Sequence, residues 1–367
     1  MKIVFFSPYL PKHFGGGEKY LLDCAVLAAA SGAEVYLAYA SAEELPPEQI
    51  AQITSAYEQF FALDLSRVRW IHTPLFTNAS WWQKLLWTAR FDRLYYQTDG
   101  SLFFSLARKN ILHVQIPFRH PQAGLLNRLK LANFQVKNSN SAFTKAVIER
   151  SWCTKIDWVH QPFVDQNAFA EANKKGKEKL ILSVGRFFCQ LHSKRQDVLV
   201  EMFAKLRQQE PQLTRGWKLV LLGKAEDEQF AKKVRELAGD LPIEFVHQAD
   251  RATLLDYYQR ASIYWHAAGF GIDEAQEPEK VEHFGISTLE AMAAGAVPIV
   301  INKGGQKEIL GEELSSCLWN DQAACLAQTT AVLAYNKLRQ QLAEQAQARS
   351  QAFSPKRFRQ ILLTMIK

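Results

Sequence analysis

The sequence has 367 residues, 48% of them hydrophobic and 22% charged, which is the composition of a folded protein with more than one domain. Its five cysteines are scattered and lack CxxC or Cys/His spacing, so the chain predicts neither a disulfide framework nor a zinc site and favours a reducing cytoplasm. The formal net charge of +7 is modest, but the bases are unevenly distributed.

The first half of the chain alternates short apolar runs with helical periodicity. Residues 3–6 predict a first strand, because Pro8 and Pro11 interrupt the run before a signal peptide or membrane span could form. A helix is expected from Glu18 to about Ala30. Further strands are predicted at residues 34–39, 68–72, 111–115, 134–137 and 156–160. This alternation is the βαβ pattern of a parallel sheet.

A glycine loop, running from His13 to Glu18, separates the first strand from the first helix. Glycine lets a backbone approach a phosphate or sugar closely, so Gly16 and Gly17 are candidate residues for binding such a ligand. A tight turn without a ligand is the alternative. A dinucleotide fingerprint would need glycine where Tyr20 stands and an acidic residue at the end of the second strand. A nicotinamide-dependent dehydrogenase is therefore disfavoured.

An aromatic and basic stretch follows, with no acidic residue between Gly100 and Ile148. Its tryptophans and bases are candidate contacts for an anionic membrane surface. They are Trp81, Trp82, Trp87, Arg128, Lys130 and Lys137. The alternative is a core-facing aromatic stripe with a solvated basic face. Similar composition occurs in RNA-binding proteins, but we predict no nucleic-acid partner.

Two polar residues lie towards the end of the predicted strand 111–115, His113 and Gln115. Strand ends in an open α/β sheet border the ligand cleft, and alternation places both side chains on one face. Both are candidate catalytic residues, and either could point inward.

The polar segment 164–179 has no strand signal and predicts an interdomain linker, after which the βα pattern restarts. Strands are expected at residues 179–185, 217–222, 243–247, 262–266 and 297–301. We therefore predict a first domain over 1–165, a second over 166–345 and a C-terminal helical segment, 346–367, that packs back towards the first domain. Ser354 and Pro355 suit the start of that last helix.

A base directly follows the first strand of the second half, and another comes eight residues later. Arg186 and Lys194 could neutralise a pyrophosphate whose negative charge grows as a glycosidic bond breaks. Arg186 is the better candidate because it follows a buried strand, whereas Lys194 could be a surface residue and has Arg195 as a rival.

Two glutamates, Glu282 and Glu290, flank a predicted helix start, with Gly285 in the loop and Ser287 as a possible N-cap. This pattern places Glu290 in the first turn. A helix N-terminus attracts anions, and carboxylates beside an anion suit hydroxyl groups, so the pattern indicates a sugar nucleotide. Capping and dipole roles are the alternative. The run 226–228 predicts an acidic helix start rather than a metal site, and no metal is expected.

These features together resemble the GT-B glycosyltransferases of the large retaining family 4, over nearly the full chain. The resemblance rests on Gly185-Arg186, Lys194, the spacing of Glu282 and Glu290, and the 15–17 glycine loop, with Asn138-Ser139 and Gly304-Gly305 in addition. It implies two Rossmann-like α/β domains facing across a cleft. The second domain would hold the donor and the first the acceptor.

The resemblance also implies a role for each site residue. Glu290 would bind the ribose and Glu282 the donor sugar, while Arg186 and Lys194 would bind the diphosphate. Backbone N–H groups at Gly16, Gly17, Gly285 and Ile286 would assist. The family often has histidine where this chain has Gln115.

The reaction expected from the resemblance is retaining transfer without an enzymic nucleophile, a metal or another cofactor. The donor would be GDP-mannose or a UDP-sugar, and the acceptor a cell-envelope or lipid-linked glycan. The protein would then be cytoplasmic and peripheral at the inner membrane face. The alternatives are an enzyme that makes a storage sugar or small glycoside and a homologue that binds a sugar nucleotide without turnover.

Overall fold

The computed structural model describes residues 1–11, 14–119, 124–170, 176–191 and 193–367. The chain divides into two compact units. Unit 1 comprises Met1–Pro162 and Lys356–Lys367, and unit 2 comprises Phe163–Pro355. Each unit is built around one sheet whose paired strands all run parallel, with helices between them in sequence. The predicted βα alternation is therefore confirmed in both halves of the chain.

Unit 1 contains a seven-stranded sheet in the order β3-β2-β1-β4-β5-β6-β7. The strands are β1 (Lys2–Phe6), β2 (Glu34–Tyr39), β3 (Val68–His72), β4 (Arg93–Thr98), β5 (Lys109–Val114), β6 (Val136–Ser139) and β7 (Trp158–Val159). The helices are α1 (Gly16–Ala30), α2 (Pro47–Phe61), α3 (Trp81–Thr88), α4 (Leu125–Ala132) and α5 (Ala142–Ser151). Strand order reverses between β1 and β4, which is where open α/β sheets bind ligands.

The strand β4 is central in this sheet but was not predicted from the sequence. Its run Arg-Leu-Tyr-Tyr-Gln-Thr has a single aliphatic residue, so it lacks the β-branched pattern that marks a buried strand. Tyr95 and Tyr96 are nevertheless fully buried, because their hydroxyl groups find partners. Tyr95 pairs with the Tyr20 hydroxyl at 3.0 Å and Tyr96 with the Ser101 hydroxyl at 2.9 Å.

Unit 2 contains a six-stranded sheet in the order β10-β9-β8-β11-β12-β13. The strands are β8 (Glu178–Val184), β9 (Lys218–Leu222), β10 (Ile243–Val246), β11 (Ala261–His266), β12 (Val297–Ile301) and β13 (Leu318–Trp319). The helices are α6 (Asn167–Ala170), α7 (Gln196–Gln209), α8 (Glu228–Ala238), α9 (Arg251–Arg260), α10 (Ile286–Ala293), α11 (Gln306–Leu310), α12 (Gln322–Ala334) and α13 (Asn336–Ser350).

The segment expected to be a linker, 164–179, belongs to unit 2 as far as it is described. Val164 and Phe169 are 3% and 1% exposed, and the Val164 N–H donates to the Phe353 carbonyl at 3.1 Å. Two apolar side chains in a polar segment are thus enough to attach it to the core. Residues 171–175, in the middle of the predicted linker, lie outside the described part of the chain.

The last helix, α14 (Pro355–Ile366), begins at the proline that the sequence favours for its first turn. Residues 346–350, which the sequence assigned to the C-terminal segment, instead end α13 within unit 2. From Lys356 onwards the chain belongs to unit 1. There the Arg93 Nε donates to the Ile366 carbonyl at 2.8 Å, and the His160 ring stacks on Phe358 at 3.9 Å. Within the described residues, no helix combines the length and apolarity needed to cross a bilayer.

Candidate functional site

The carboxyl ends of the neighbouring strands β8 and β11 bring together the main candidate residues of unit 2. Gly185 and Arg186 follow β8, and His266 ends β11. Lys194 lies in the connection from β8 to α7, and Glu282 lies in the connection from β11 to α10. Carboxyl ends of parallel strands share one edge of the sheet, so residues far apart in sequence meet there.

One carboxylate joins two of these connections. The Glu282 Oε2 accepts a hydrogen bond from the Lys194 ammonium group and lies 2.9 Å from the His266 Nε2. The Lys194 and Glu282 side chains are only 13% and 12% exposed, and His266 is 1% exposed. The pair is therefore partly withdrawn from water, which strengthens its electrostatic interaction.

The His266 ring has a defined role in this group. Burial lowers its pKa, although the hydrogen bond and the charge of Glu282 oppose the shift. The neutral ring accepts the Ala268 N–H at Nδ1, at 3.4 Å, which assigns the proton to Nε2. His266 therefore donates to the Glu282 carboxylate as a neutral ring.

Three glycines make this arrangement sterically possible. A Cβ atom on Gly185 would lie 2.4 Å from the Lys194 Cγ, so glycine allows the lysine side chain to pass. Gly304 has a φ of +57°, and a Cβ there would lie 2.1 Å from the Glu282 carbonyl oxygen. The Gly305 N–H donates to that same oxygen at 2.8 Å. The two adjacent glycines thus hold the backbone that carries Glu282.

Arg186 lies differently from the prediction. Its guanidinium contacts the Glu226 carboxylate at 3.0 Å, lies over the Phe188 ring at 4.9 Å from its centroid, and its side chain is 37% exposed. The expectation that Arg186 is the less solvated of the two bases was wrong, because the strand ends one residue earlier than predicted and Lys194 is only 13% exposed. The rival base Arg195 contacts Asp197 at 3.0 Å, so it is Lys194 that reaches Glu282.

The helix α10 starts at Ile286 with Gly285 as its N-cap, at a φ of +114°. The prediction that Ser287 caps this helix was wrong, since its hydroxyl accepts from the Tyr264 hydroxyl at 2.8 Å. Glu290 consequently lies in the second turn rather than the first. The N–H groups of the first turn have no partners within the helix and point towards its start.

The second glutamate is also paired. The Glu290 carboxylate contacts the Arg251 guanidinium at 2.8 Å, and the residue is 8% exposed. Burial lowers the pKa of Arg251, but the Glu290 charge outweighs it and leaves the pKa raised. Arg251 therefore fixes the position of the Glu290 carboxylate.

The acidic run 226–228 opens helix α8, as predicted from the sequence. The Asp227 carboxylate caps the helix by accepting the Phe230 N–H at 2.9 Å, and Glu228 is the first helical residue. Glu226, just before the cap, is the partner of Arg186.

In unit 1, Gln115 and the glycine loop come together. A Cβ atom on Gly17 would lie 3.0 Å from the Gln115 Oε1 and 3.1 Å from the Gln97 Nε2, so glycine makes room for two amides. Within the described residues, the buried Oε1 atoms of Gln97 and Gln115 have no hydrogen-bond partner. Gly16 is the first residue of α1, and His13, at the start of the predicted loop, lies outside the described residues.

His113 does not share this location. It is fully buried, its Nδ1 lies 2.6 Å from the Asn138 Oδ1, and its ring stacks on Tyr20 at 4.1 Å. Burial lowers its pKa to about 4. The strand β5 ends at Val114, so Gln115 leaves the strand for the loop while His113 stays in the interior.

Of the six predicted membrane contacts, Trp87 is buried and Lys137 is half-buried. Trp87 is 7% exposed, and the Lys137 ammonium group donates to the Phe134 carbonyl at 2.8 Å. Trp87 lies on the inner side of α3, where it belongs to the core of unit 1. By contrast, Trp81 and Trp82 are 60% and 59% exposed.

The sequence matches the family model of glycosyl transferases group 1 over residues 164–349, about half of the chain and most of unit 2. The chain belongs to this family. In this group 1 glycosyltransferase, the matched region contains Arg186, Lys194, His266, Glu282 and Glu290. The contacts described for unit 2 therefore all lie within the region that the family model matches.

Two curated relatives are both named GDP-Man:Man(3)GlcNAc(2)-PP-Dol alpha-1,2-mannosyltransferase. The Neurospora crassa protein is 27% identical over 204 residues, covering 48% of this chain and 34% of the relative. The Xenopus tropicalis protein is 29% identical over 178 residues, covering 46% of this chain and 34% of the relative. The match thus spans about a third of each relative's length.

Solved structures match over the whole chain. HepE of Anabaena, in complex with UDP and glucose, aligns with a TM-score of 0.68 at 16% identity, covering 99% of this chain and 98% of that one. Sucrose-phosphate synthase of Thermosynechococcus elongatus aligns with a TM-score of 0.71 at 16% identity, covering 99% and 97%. At this identity the likeness shows the fold, and the predicted GT-B class with two Rossmann-like domains is confirmed.

Four residues of these sites were not predicted from the sequence: Gln97, Glu226, Arg251 and His266. The reasoning that selected His113 could also have selected His266, because His266 ends a predicted strand. Gln97 was missed together with its strand. Arg251 and Glu226 carry no local signal, since only the fold brings them to their partners.

Proposed function

We propose that this glycosyltransferase transfers a sugar, with retention of configuration, from a nucleotide-diphosphate sugar to a lipid-linked or cell-envelope glycan. The observation that carries the proposal is the contact of Lys194 and His266 with one carboxylate, Glu282, beside the start of α10. A cation and a helix N-terminus suit a diphosphate, and a fixed carboxylate suits sugar hydroxyl groups.

The diphosphate is assigned to Lys194, Arg186 and the first N–H groups of α10, at Gly285 and Ile286. Phosphate oxygens compete with Glu226 for the Arg186 guanidinium, which is exposed enough to turn towards a ligand. As the glycosidic bond breaks, negative charge grows on the leaving diphosphate, and these groups stabilise it without moving. This charge balance supports transfer that needs no metal ion.

The carboxylates are assigned to the two polyol parts of the donor. Glu282 accepts hydrogen bonds from the sugar, and Glu290, held by Arg251, accepts them from the ribose. His266 acts as a positioning residue, because its Nε2–H holds the Glu282 carboxylate in place beside Lys194. Retention then follows if the acceptor hydroxyl attacks the sugar on the same face from which the diphosphate departs. No protein nucleophile is required.

The amides of unit 1 suit neutral groups. The unpartnered oxygens of Gln97 and Gln115 accept hydrogen bonds from hydroxyl groups, and Gly16 and Gly17 allow a close backbone approach. Burying an amide oxygen without a partner is costly, so a ligand hydroxyl at this point restores a lost interaction. His113 takes no direct part in this assignment, because it is enclosed by Tyr20 and Asn138.

The donor and acceptor classes rest on the relatives. Two curated proteins that match about half of this chain use GDP-mannose and a dolichol-linked acceptor, and HepE was solved with UDP and glucose. We propose GDP-mannose or a UDP-sugar as donor, at the cytoplasmic face of a membrane that carries the acceptor.

A thermal-shift screen against UDP, GDP and ADP, all in EDTA, tests the donor assignment. A ligand at 100 times its dissociation constant adds about 2.7 kcal/mol of stability, so one diphosphate should raise the melting temperature clearly above the others. The double variant Arg186→Ala/Lys194→Met should lose that shift. Absence of a shift with every nucleotide would contradict the proposed function, and a shift that appears only with magnesium would contradict metal independence.

A further inference from the structure

Helix α4 of unit 1 presents leucine to solvent. Leu125, Leu126 and Leu129 are 74%, 60% and 53% exposed, whereas Leu131 is buried at 7%. At about 100° per residue, the three exposed leucines share one face and Leu131 lies on the opposite side. An ordinary surface helix has the reverse pattern, with its leucines inside. The apolar face of α4 therefore has no cover within the described structure.

Basic side chains flank that face on both sides. By the same helical spacing, Arg128 lies at one margin of the leucine face and Lys130 at the other. Arg128 is exposed and Lys130 is half-buried. A leucine face bordered by cations is the arrangement of helices that lie in the headgroup region of a bilayer.

Helix α3 has the same character. Trp81 and Trp82 stack at 3.6 Å between ring centroids and are mostly exposed, and Leu86 is 65% exposed. The helix is fixed to the body from the other side by Trp87 and Thr88, which are both buried. Tryptophan is favoured where the apolar interior of a bilayer meets the headgroups.

The loop between β4 and β5, residues 99–108, makes hydrogen bonds to the C-terminal ends of both helices. The Leu106 N–H donates to the hydroxyl of Thr88, the last residue of α3, at 2.9 Å. The Ser105 N–H donates to the side chain of Asn133, which follows α4, at 2.8 Å. Leu106 itself is 55% exposed. The loop therefore ties the C-terminal ends of α3 and α4 to the same part of unit 1 and presents a further exposed apolar side chain there.

The charged residues of this region are mainly basic in sequence. No aspartate or glutamate occurs in residues 65–91 or 100–148, which contain α3, α4 and all of the loop except its first residue, Asp99. Asp92, between the two ranges, pairs with Arg108 at 3.1 Å. A partner that accepts both leucine and tryptophan side chains and attracts cations must be apolar beneath and anionic at its surface. An anionic lipid bilayer has both properties.

We propose that helices α3 and α4, with the β4–β5 loop, form a docking surface for an anionic membrane. Leu125, Leu126, Leu129, Trp81 and Trp82 enter the headgroup region, and Arg128 and Lys130 contact anionic lipid. The surface lies entirely in unit 1, so it stands or fails separately from the donor site of unit 2.

Co-sedimentation tests the surface, using vesicles of phosphatidylcholine alone and vesicles with 30% phosphatidylglycerol. The protein should bind the anionic vesicles and leave them as salt rises. Arg128→Gln/Lys130→Gln should weaken that binding about fivefold per removed base. Leu125→Ser/Leu129→Ser should weaken it about tenfold or more, because two side chains that enter the lipid are lost.

The matched control is Leu237→Ser, since Leu237 is 43% exposed on α8 of unit 2. It should bind vesicles like the wild type. All variants should keep the wild-type melting temperature and nucleotide shift, because none of the changed residues belongs to a hydrophobic core or to the proposed donor site. Equal absence of binding to both vesicles at low salt, or unchanged binding of the leucine variant, would overturn the proposal. So would a dimer in light scattering that the leucine variant abolishes, which would assign the face to a second copy.

Discussion

The carboxyl edges of the two sheets carry different chemistry although both units follow the same βα plan. In unit 2 the edge holds charged groups in contact, with Lys194 and His266 on Glu282. In unit 1 the comparable edge holds two amides and a glycine, Gln97 and Gln115 against Gly17. Under the proposed function, the charged edge of unit 2 binds the charged part of the ligand and the amides of unit 1 bind neutral hydroxyl groups.

Three buried histidines, two in unit 1 and His266 in unit 2, differ in the same way. His113 and His160 of unit 1 have neutral partners, the Asn138 amide for one and the Tyr20 hydroxyl and Phe358 carbonyl for the other. Burial lowers their pKa values to about 4 and about 3. His266 of unit 2 is as buried, but the Glu282 carboxylate opposes the lowering of its pKa.

The largest expected effect comes from Glu282→Gln, which removes the charge at the centre of the unit 2 edge while keeping its volume. Turnover should fall on the order of 100-fold or more, as when a charge-stabilising contact is lost from other active sites. Binding of the nucleoside diphosphate should persist, since Lys194 and Arg186 remain. Steady-state kinetics with the donor found in the screen measures turnover, and calorimetry measures binding of the nucleoside diphosphate.

The matched control for that variant is Glu277→Gln. Glu277 is a glutamate of the same connection whose carboxylate pairs with Lys280, and its side chain is 41% exposed. It should keep wild-type turnover. Equal losses in both variants would mean that the connection, rather than the Glu282 carboxylate, is what matters.

A smaller effect concerns acid and the buried histidines of unit 1. The folded-state pKa values of His113 and His160 lie below the ordinary 6.5, so the unfolded chain binds protons first as the pH falls. The free energy of unfolding of unit 1 should therefore be intact above about pH 6.5 and fall between pH 6.5 and 4. The slope is about 1.4 kcal/mol per pH unit for each histidine.

Hydrogen exchange of the slowest amides in β5, corrected for the intrinsic effect of pH, measures this slope. His113→Asn should remove the share of one histidine whatever its effect on stability at neutral pH. An unchanged slope in the variant would show that His113 titrates normally.

The fold was largely predictable because its signals are local. Apolar runs such as residues 179–185 and 297–301 predict buried strands without help from the rest of the chain. The strand β4 was missed since its tyrosines become buried only through the Tyr20 and Ser101 hydroxyl groups. The Tyr20 partner comes from α1, 75 residues away in the chain, so the sequence near β4 does not predict it.

The site was predictable in its residue types but less in its pairings. The spacing of Glu282 and Glu290 indicated two carboxylates near a helix start, yet the true cap is Gly285 and each carboxylate has its own base. Capping by a left-handed glycine needs room that only neighbouring elements define. A Cβ there would lie 2.8 Å from Gln306, which is 21 residues away in the chain.

The central claim is that the carboxyl edge of the unit 2 sheet holds the charged part of the donor. Hydrogen exchange with and without the best nucleoside diphosphate of the thermal screen tests it most directly. The prediction is slower exchange in peptides that contain Gly185, Lys194 and the start of α10 at Gly285 and Ile286, with little change in α12. Protection confined to unit 1, or protection in unit 2 that leaves all of these peptides unchanged, would contradict it.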